Sequence, residues 1–296
     1  MKILVTGRAG QLARSLAERA GAYPQLSVML SGRPDLDLER PETLAGAVAA
    51  AAPDLIINAA AYTAVDQAED EPDRAFLVNA EAPGVLAEAA QRVGAGFVQL
   101  STDYVFDGTR AGAYDESAPT APLGVYGASK LEGERRVLAA HPSATIVRTA
   151  WVYSPFGRNF VKTMLTLAQG RDEVSVVADQ RGTPTSALDL ADGLLALAQT
   201  RLGTPEAGAG EVFHLAGRGE TVWAEFAEAV FAAAREHGLP AASVRRIATE
   251  DYPTRARRPM NSTLDSRRFE GVFGYRSPEW RSALARVIHH IAEGQE

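Results

Sequence analysis

The sequence predicts an α/β protein, a doubly wound parallel sheet that carries a smaller α/β lobe, and three observations predict it. Lys2-Ile-Leu-Val-Thr6 is a short β run that breaks into the glycine turn Gly7-Arg-Ala-Gly10-Gln-Leu-Ala13 and passes into a helical pattern over Arg14–Ala20. Further short apolar strand runs alternate with helical stretches along the chain. With 296 residues and 46% hydrophobic content there is enough material for a large core, and the 7% aromatic content beside many alanines favours packed helices over a β-sandwich.

Composition also excludes function classes. The net charge of -7 and pI near 5.4 argue against a nucleic-acid surface. The absence of cysteine rules out disulfides, thiolate metal sites and cysteine nucleophiles, and the five histidines show no ligand spacing. The chain opens on Met1-Lys2 and goes directly into a strand-like run, and no apolar stretch approaches the length of a membrane span. A cytoplasmic protein with no membrane partner is the expectation.

The glycine turn has the spacing Gly-x-x-Gly-x-x-Ala. Gly7 allows a tight turn, Gly10 allows close approach of backbone to a pyrophosphate, and Ala13 keeps the helix near the strand. Gln11 and Leu12 open that helix, whose N-terminus would face the phosphates of a dinucleotide. The second strand, Leu26–Leu30, ends in Ser31-Gly-Arg33 and has no acid at its end. Arg33, with Ser31, could meet a 2′-phosphate, or it could be a solvated loop arginine. Asp37 and Leu38 are spaced to lie near the adenine edge, although Asp37 could equally cap the helix that begins near Pro41.

Asp54–Asn58 reads as a buried strand running into Ala59-Ala60-Ala61-Tyr62-Thr63, whose small residues would let a coenzyme lie against the backbone. The acidic run Val65–Pro72 reads as a solvated helix start without chemistry. Asn79 is polar in an apolar helix and must bond something, either backbone or a ligand. The fourth strand, Gly96–Asp103, puts Ser101, Thr102 and Asp103 at a carboxyl end, where a hydroxyl could polarise a substrate carbonyl. Tyr126 and Lys130 follow on a predicted helix, four residues apart and one turn from each other on one face. An ammonium beside a phenol favours the phenolate and pulls its pKa, ordinarily about 10, toward the working range.

Thr-Gly-x-x-Gly-x-x-Ala, Asn-Ala-Ala-Ala-Tyr-Thr, Ser-Thr-Asp-Tyr-Val-Phe-Asp-Gly and Tyr-Gly-x-x-Lys occur in that order. In this the chain resembles the extended short-chain dehydrogenases/reductases, Rossmann-like enzymes, and within them those that reduce dTDP-4-keto sugars. The likeness continues through Arg148–Tyr153, Asn159–Met164, Asp179–Thr185 and Arg257–Ser262, nearly the whole length. It implies residues 1–152 as a dinucleotide-binding domain, completed by segments near 183–216, with 153–182 and 217–296 as the substrate-binding lobe. It implies NADPH or NADH as coenzyme, with Arg33 favouring NADPH, and reduction of the 4-keto group of dTDP-4-dehydro-L-rhamnose. Tyr126 would give the proton, Lys130 would tune Tyr126 and hold the nicotinamide ribose, and Thr102 would bond the keto oxygen. Asp103, Asn159 and Arg257 would contact substrate, as would Trp151 unless it is core between the lobes. The basic stretch Tyr252–Pro259 would face the diphosphate. Related dehydratases carry an acid where Tyr104 stands here, and epimerases lack this Ser-Thr-Asp-Tyr run. A non-catalytic regulatory subunit of the same fold is the remaining alternative. Some members bind Mg²⁺ between subunits through a glutamate where this chain has Ser15, which argues against that metal. A homodimer is compatible with the resemblance.

Overall fold

The computed structural model describes residues 1–294. Its centre is a six-stranded sheet, parallel throughout. The strands β1 (Lys2–Thr6), β2 (Ser27–Ser31), β3 (Leu55–Asn58), β4 (Gly96–Thr102) and β5 (Thr145–Thr149) are joined by an edge strand, Val212–His214. Across the sheet the order is β2, β1, β3, β4, β5 and the edge strand. The chain therefore reverses direction of growth between β1 and β3, and the crevice outside their carboxyl ends is where such sheets bind ligands.

Alternation along the strands explains the layering. Ile3, Val5, Leu55, Ile57, Val98 and Val147 point to one face, where α1 (Gln11–Arg19) packs. Leu4, Ile56, Phe97 and Ile146 point to the other, against α2 (Pro41–Ala51) and later helices. Two short helices follow β3, α3 (Val65–Ala68) and α4 (Pro72–Phe76), before α5 (Ala82–Val93) and α6 (Val125–Ala140) complete that second face. After β5 come α7 (Phe160–Leu167) and α8 (Ala187–Gly203), and α8 returns to pack beside α1. A third apolar cluster gathers Tyr153, Phe156, Val161, Met164, Phe226, Phe231, Trp280 and Leu284 around α7 and α9 (Trp223–Glu236).

The strand ends differ slightly from the sequence reading: β4 stops at Thr102, and Asp103–Val105 turns into a short 3₁₀ helix. A larger difference lies at Leu77–Glu81, which forms a π-helical turn. Pro83 has no N–H to offer the carbonyl four residues back, that of Asn79, which favours widening the helix there. Among the described residues, no helix is long and apolar enough to cross a membrane.

Candidate active site

At the end of β1, Gly7 has φ +92°, a conformation that side chains strongly disfavour, and its N–H donates to the Ser31 carbonyl at 2.7 Å. Gly10 caps α1 with no side-chain hydrogen bond, so N–H groups of the first turn are left for another acceptor. A Cβ built on Gly10 would meet nothing within 4 Å, an open cradle of the kind a pyrophosphate needs. Leu12 is buried beneath the turn, and the Gln11 side-chain oxygen accepts from Ser154 Oγ at 2.9 Å. Ala60 N–H donates to Thr6 Oγ1 at 3.0 Å, fixing the start of the run Ala60, Ala61, Tyr62, Thr63.

Asn79 holds the next part of that run. Its Oδ1 accepts from Tyr62 N–H at 2.8 Å, while its Nδ2 donates to the Tyr62 carbonyl and to Ser129 Oγ, each at 3.0 Å. Three bonds occupy the amide, which thereby ties the strand-end loop to α6.

At the end of β2, Arg33 projects into solvent with 71% of its side chain exposed and Glu39 at 4.0 Å. Arg8, in the glycine turn, reaches the same loop and pairs with Asp35 at 2.5 Å. The sequence reading passed over Arg8, although its place between Gly7 and Gly10 could have marked it. Asp37 accepts from Glu39 N–H at 3.0 Å in a local turn and does not cap α2, whose cap is Arg40. Leu38 is buried.

Thr102, Asp103, Tyr126 and Lys130 come together where β4 meets α6. Two glycines permit this contact: a Cβ on Gly127 would fall 2.1 Å from the Tyr104 carbonyl oxygen, and one on Gly133 would fall 2.0 Å from that of Asn79. Thr102 Oγ1 donates to Asp103 Oδ1 at 2.9 Å and accepts from Tyr104 N–H at 3.2 Å. Tyr104 packs edge-on against Tyr126, with ring centroids 5.5 Å apart.

Lys130 Nζ donates to the Leu100 carbonyl at 2.7 Å, and that oxygen ends a buried chain of amides. Thr6 Oγ1 donates to Asn58 Oδ1 at 2.5 Å, Asn58 Nδ2 to Gln99 Oε1 at 2.8 Å, and Gln99 Nε2 to the same Leu100 carbonyl at 2.8 Å. Each group along it is satisfied, and each amide is thereby fixed in orientation. Sequence alone offered no signal for it, since its members are joined only by strand pairing.

The electrostatics follow from burial. Burial pushes the Tyr126 phenol well above its ordinary value, with Thr102 pulling the other way and Asp103 and Tyr104 adding to the rise. Lys130 is not among the groups acting on Tyr126 in this conformation, so the lowering expected from their spacing is not seen. Burial brings Lys130 down from 10.5 to about 8, opposed by the Glu134 charge. Burial also raises Asp103 to about 6, against the hydrogen bond from Thr102 and the nearby Ser262 hydroxyl, and its Oδ2 has no hydrogen-bond partner.

The other residues expected at substrate are placed differently. Trp151 has φ +47° and donates from Nε1 to Ser262 Oγ at 3.0 Å. Trp223 stacks on it with centroids 3.5 Å apart and planes 7° from parallel. The Gly182 backbone also lies close to this ring, since a Cβ there would come within 2.3 Å of the indole. Trp151 is thus packed against both Trp223 and the Gly182 backbone. Asn159 caps α7, accepting from Lys162 N–H at 3.2 Å and donating to the Ser154 and Phe156 carbonyls at 2.8 and 3.2 Å. Arg257 is exposed on the rim of a cavity of about 470 Å³, which Arg110, Arg181, Asp107 and Asp179 also line. Its neighbours are engaged: Arg255 pairs with Asp70, and Arg258 bonds Asp66 at 2.6 Å and the Tyr104 hydroxyl at 3.0 Å. The acidic run after β3 is thus a partner of the basic stretch, and not merely a solvated helix start. Ser15 is buried and donates to the Gln11 carbonyl at 2.9 Å, so it cannot stand in for a metal-binding carboxylate. Among the described residues, no group of three His, Asp or Glu could hold a metal ion.

The family model described as "RmlD substrate binding domain" matches residues 1–293. The chain belongs to the RmlD substrate binding domain family. A dTDP-4-dehydrorhamnose reductase from Sinorhizobium fredii is 47% identical, with 97% of each chain covered. Among solved structures, a Clostridium acetobutylicum dTDP-4-dehydrorhamnose reductase is similar with a TM-score of 0.89 and 38% identity, over 98% of this chain and 99% of that one. The Bacillus anthracis dTDP-4-dehydrorhamnose reductase, solved in complex with NADP, is similar with a TM-score of 0.88 and 37% identity over the same shares. Family membership and the meeting of Thr102, Tyr126 and Lys130 on the sheet edge that also carries the glycine turn point to one site.

Proposed function

We propose that this chain reduces the 4-keto group of dTDP-4-dehydro-L-rhamnose with NADPH, giving dTDP-L-rhamnose. The observation that carries the proposal is the convergence of Thr102, Tyr126 and Lys130 at the end of β4, on the carboxyl edge of the parallel sheet where β1 also runs into the open turn at Gly10. Residues 1–152 with 183–216 form the coenzyme half in this reading, and 153–182 with 217–296 the substrate half.

The coenzyme fits the residues present. The bare first turn of α1 takes the pyrophosphate, and Arg33 and Arg8 flank the 2′-position. The loop Ala60–Thr63, held by Asn79, lies along the dinucleotide. When bound, NADPH supplies the hydride that reduction requires.

Tyr126 carries the proton. Burial keeps its phenol protonated at neutral pH, so a proton is in place for the sugar O4 as the carbonyl carbon is reduced. The Thr102 hydroxyl bonds that oxygen as it gains charge. Lys130, cationic below about pH 8, adds a positive field and can turn from the Leu100 carbonyl to the nicotinamide ribose. Arg257, exposed at the cavity rim, is the fork available to the substrate diphosphate, while Asp103 and Trp151 face the sugar. Tyr104 stands where elimination would need an acid, which favours reduction over dehydration. The cytoplasm, where NADPH is kept reduced, is the compartment that such a reaction needs.

The test is oxidation of NADPH by the purified chain with dTDP-4-dehydro-L-rhamnose, with the product identified by NMR. Formation of dTDP-L-rhamnose at enzymatic rates is expected. Tight NADPH binding with no turnover would replace the proposal with a regulatory subunit.

A further inference from the structure

Three polar side chains beneath Lys130 have no part in the mechanism above, and all are at least nine-tenths buried. Glu134, Arg148 and Ser101 are 4%, 5% and 5% exposed, and Lys130 itself is 4% exposed. Tyr126, Lys130 and Glu134 are spaced by four residues along α6, which stacks them on one face. Arg148 on β5 grips Glu134 through both carboxylate oxygens, Nε to Oε1 at 2.9 Å and Nη2 to Oε2 at 2.7 Å. Ser101 on β4 donates to Oε1 at 2.5 Å. The carboxylate is therefore fixed from two strands while belonging to the helix that carries Tyr126 and Lys130.

A buried Arg–Glu pair is commonly no more stabilising than well-packed apolar residues, so stability is a weak reason for its presence. Its position gives a better one. Three neighbouring residues of β4 serve three turns of α6: Thr102 lies by Tyr126, the Leu100 carbonyl holds Lys130, and Ser101 holds Glu134. Lys130 makes its one hydrogen bond, among the described residues, to a neutral carbonyl. Of the charged groups around it, Arg148 is already committed to Glu134. Asp103 acts on Tyr126 and is bonded by Thr102. On the elements packed against α6, Asp66 pairs with Arg258, Glu69 accepts from Val125 N–H, and Asp73, Arg74, Glu81, Glu88 and Arg92 are exposed. Glu134 is the negative group that acts on the amine.

We propose that Glu134 is a positioning residue for Lys130: clamped by Arg148 and Ser101, it keeps the buried amine charged and registers its turn of α6 against β4. This rests on the reductase reading for its consequence, since a neutral Lys130 could offer neither a positive field nor a charged bond to ribose.

The chain has only three lysines, Lys2, Lys130 and Lys162, so Lys130 can be followed by itself. In protein carrying ¹³C,¹⁵N-lysine, the Lys130 signal, assigned by its loss in Lys130→Met, is titrated by NMR without substrate. In Glu134→Gln its midpoint should fall by about one pH unit, the scale expected for losing one nearby opposite charge. Lys2 and Lys162 should not move, and Ser101→Ala should give a smaller fall in the same direction. Should Glu134→Gln misfold because Arg148 is left unpaired, the double variant Glu134→Gln, Arg148→Gln removes both charges and should still show a fall, smaller because loss of the more distant Arg148 cation offsets part of it. A Lys130 midpoint unchanged in a folded variant overturns the proposal, because a purely structural pair would leave it in place. The titration does not depend on turnover, so it can fail while the reductase assay succeeds, and the reverse.

Discussion

The carbonyl oxygen of Asn79 lies 2.0 Å from where a Cβ on Gly133 would stand. The π turn that displaces this carbonyl and the glycine that receives it bring α6 against the Asn79 loop. Gly133→Ala must therefore push backbone against backbone, which no rotamer change can relieve. Overpacking of this kind costs about 1–3 kcal/mol or more. A fall in the thermal midpoint, together with weaker NADPH binding through the displaced Asn79, is the expected outcome. Calorimetry and coenzyme titration of the variant would check it, and a wild-type midpoint would mean that the π turn adapts freely.

Tyr126→Phe removes one hydroxyl and leaves the ring that packs edge-on against Tyr104. Loss of a general acid typically lowers turnover by about 10²–10⁴-fold. NADPH affinity should stay near that of the native chain. Turnover of the purified variant within a few-fold of wild type would remove Tyr126 from its proposed role.

Asp103 offers a prediction in which stability and activity move apart. Its folded pKa is raised from 3.8 to about 6 by burial, so the charged form is disfavoured in the native state. The folded chain binds the proton more tightly than the unfolded one, and stability from this group therefore falls as pH rises from about 4 through about 6. From 3.8 to about 6 the linkage amounts to at most about 3 kcal/mol. Asp103→Asn keeps an acceptor for Thr102 while removing the charge. It should be more stable than the native chain above pH 6, with the gap closing toward pH 4, and it should lose activity if the carboxylate touches the sugar. Denaturant melts at pH 4 and pH 7.5 would decide; a gap independent of pH would mean that Asp103 titrates alike in the folded and unfolded chain.

Coenzyme choice should respond to two arginines. Arg33 is highly exposed and Arg8 is held by Asp35, so each contact to a 2′-phosphate competes with water or a carboxylate. Arg33→Ala and Arg8→Ala should each reduce the NADPH-over-NADH ratio of kcat/KM by about tenfold or less, the discounted end of the range for a charge-assisted bond. Ratios equal to wild type in both variants would place recognition elsewhere.

How much of this was legible in the sequence depended on distance along the chain. Tyr126 and Lys130, the turn from Gly7 to Gly10, and Thr102 at a strand end were readable because each is a local pattern. The first strand, its helix and the strand Leu55–Asn58 emerged within a residue or a few for the same reason. Glu134 and Arg148 could have been noticed as charges in otherwise apolar elements, yet their pairing depends on which strand lies beside which. The chain from Thr6 through Asn58 and Gln99 to Leu100 has the same origin, since β1, β3 and β4 become neighbours only in the sheet. Asn159 looked available and is occupied as a cap. The basic stretch around Arg257 reads as facing a diphosphate, and two of its arginines answer the acidic run after β3, a pairing that only the fold brings about.

The paired indoles of Trp151 and Trp223 give this protein an optical signature. Two near-parallel rings 3.5 Å apart couple their electronic transitions, whereas Trp280, the third indole, is fully buried outside the pair. One ring of the pair follows β5 and the other begins α9, so any hinge that slides these two segments past one another would alter the near-ultraviolet circular dichroism. Motion between the segment after β5 and the start of α9 can thus be watched with light alone, with no label attached.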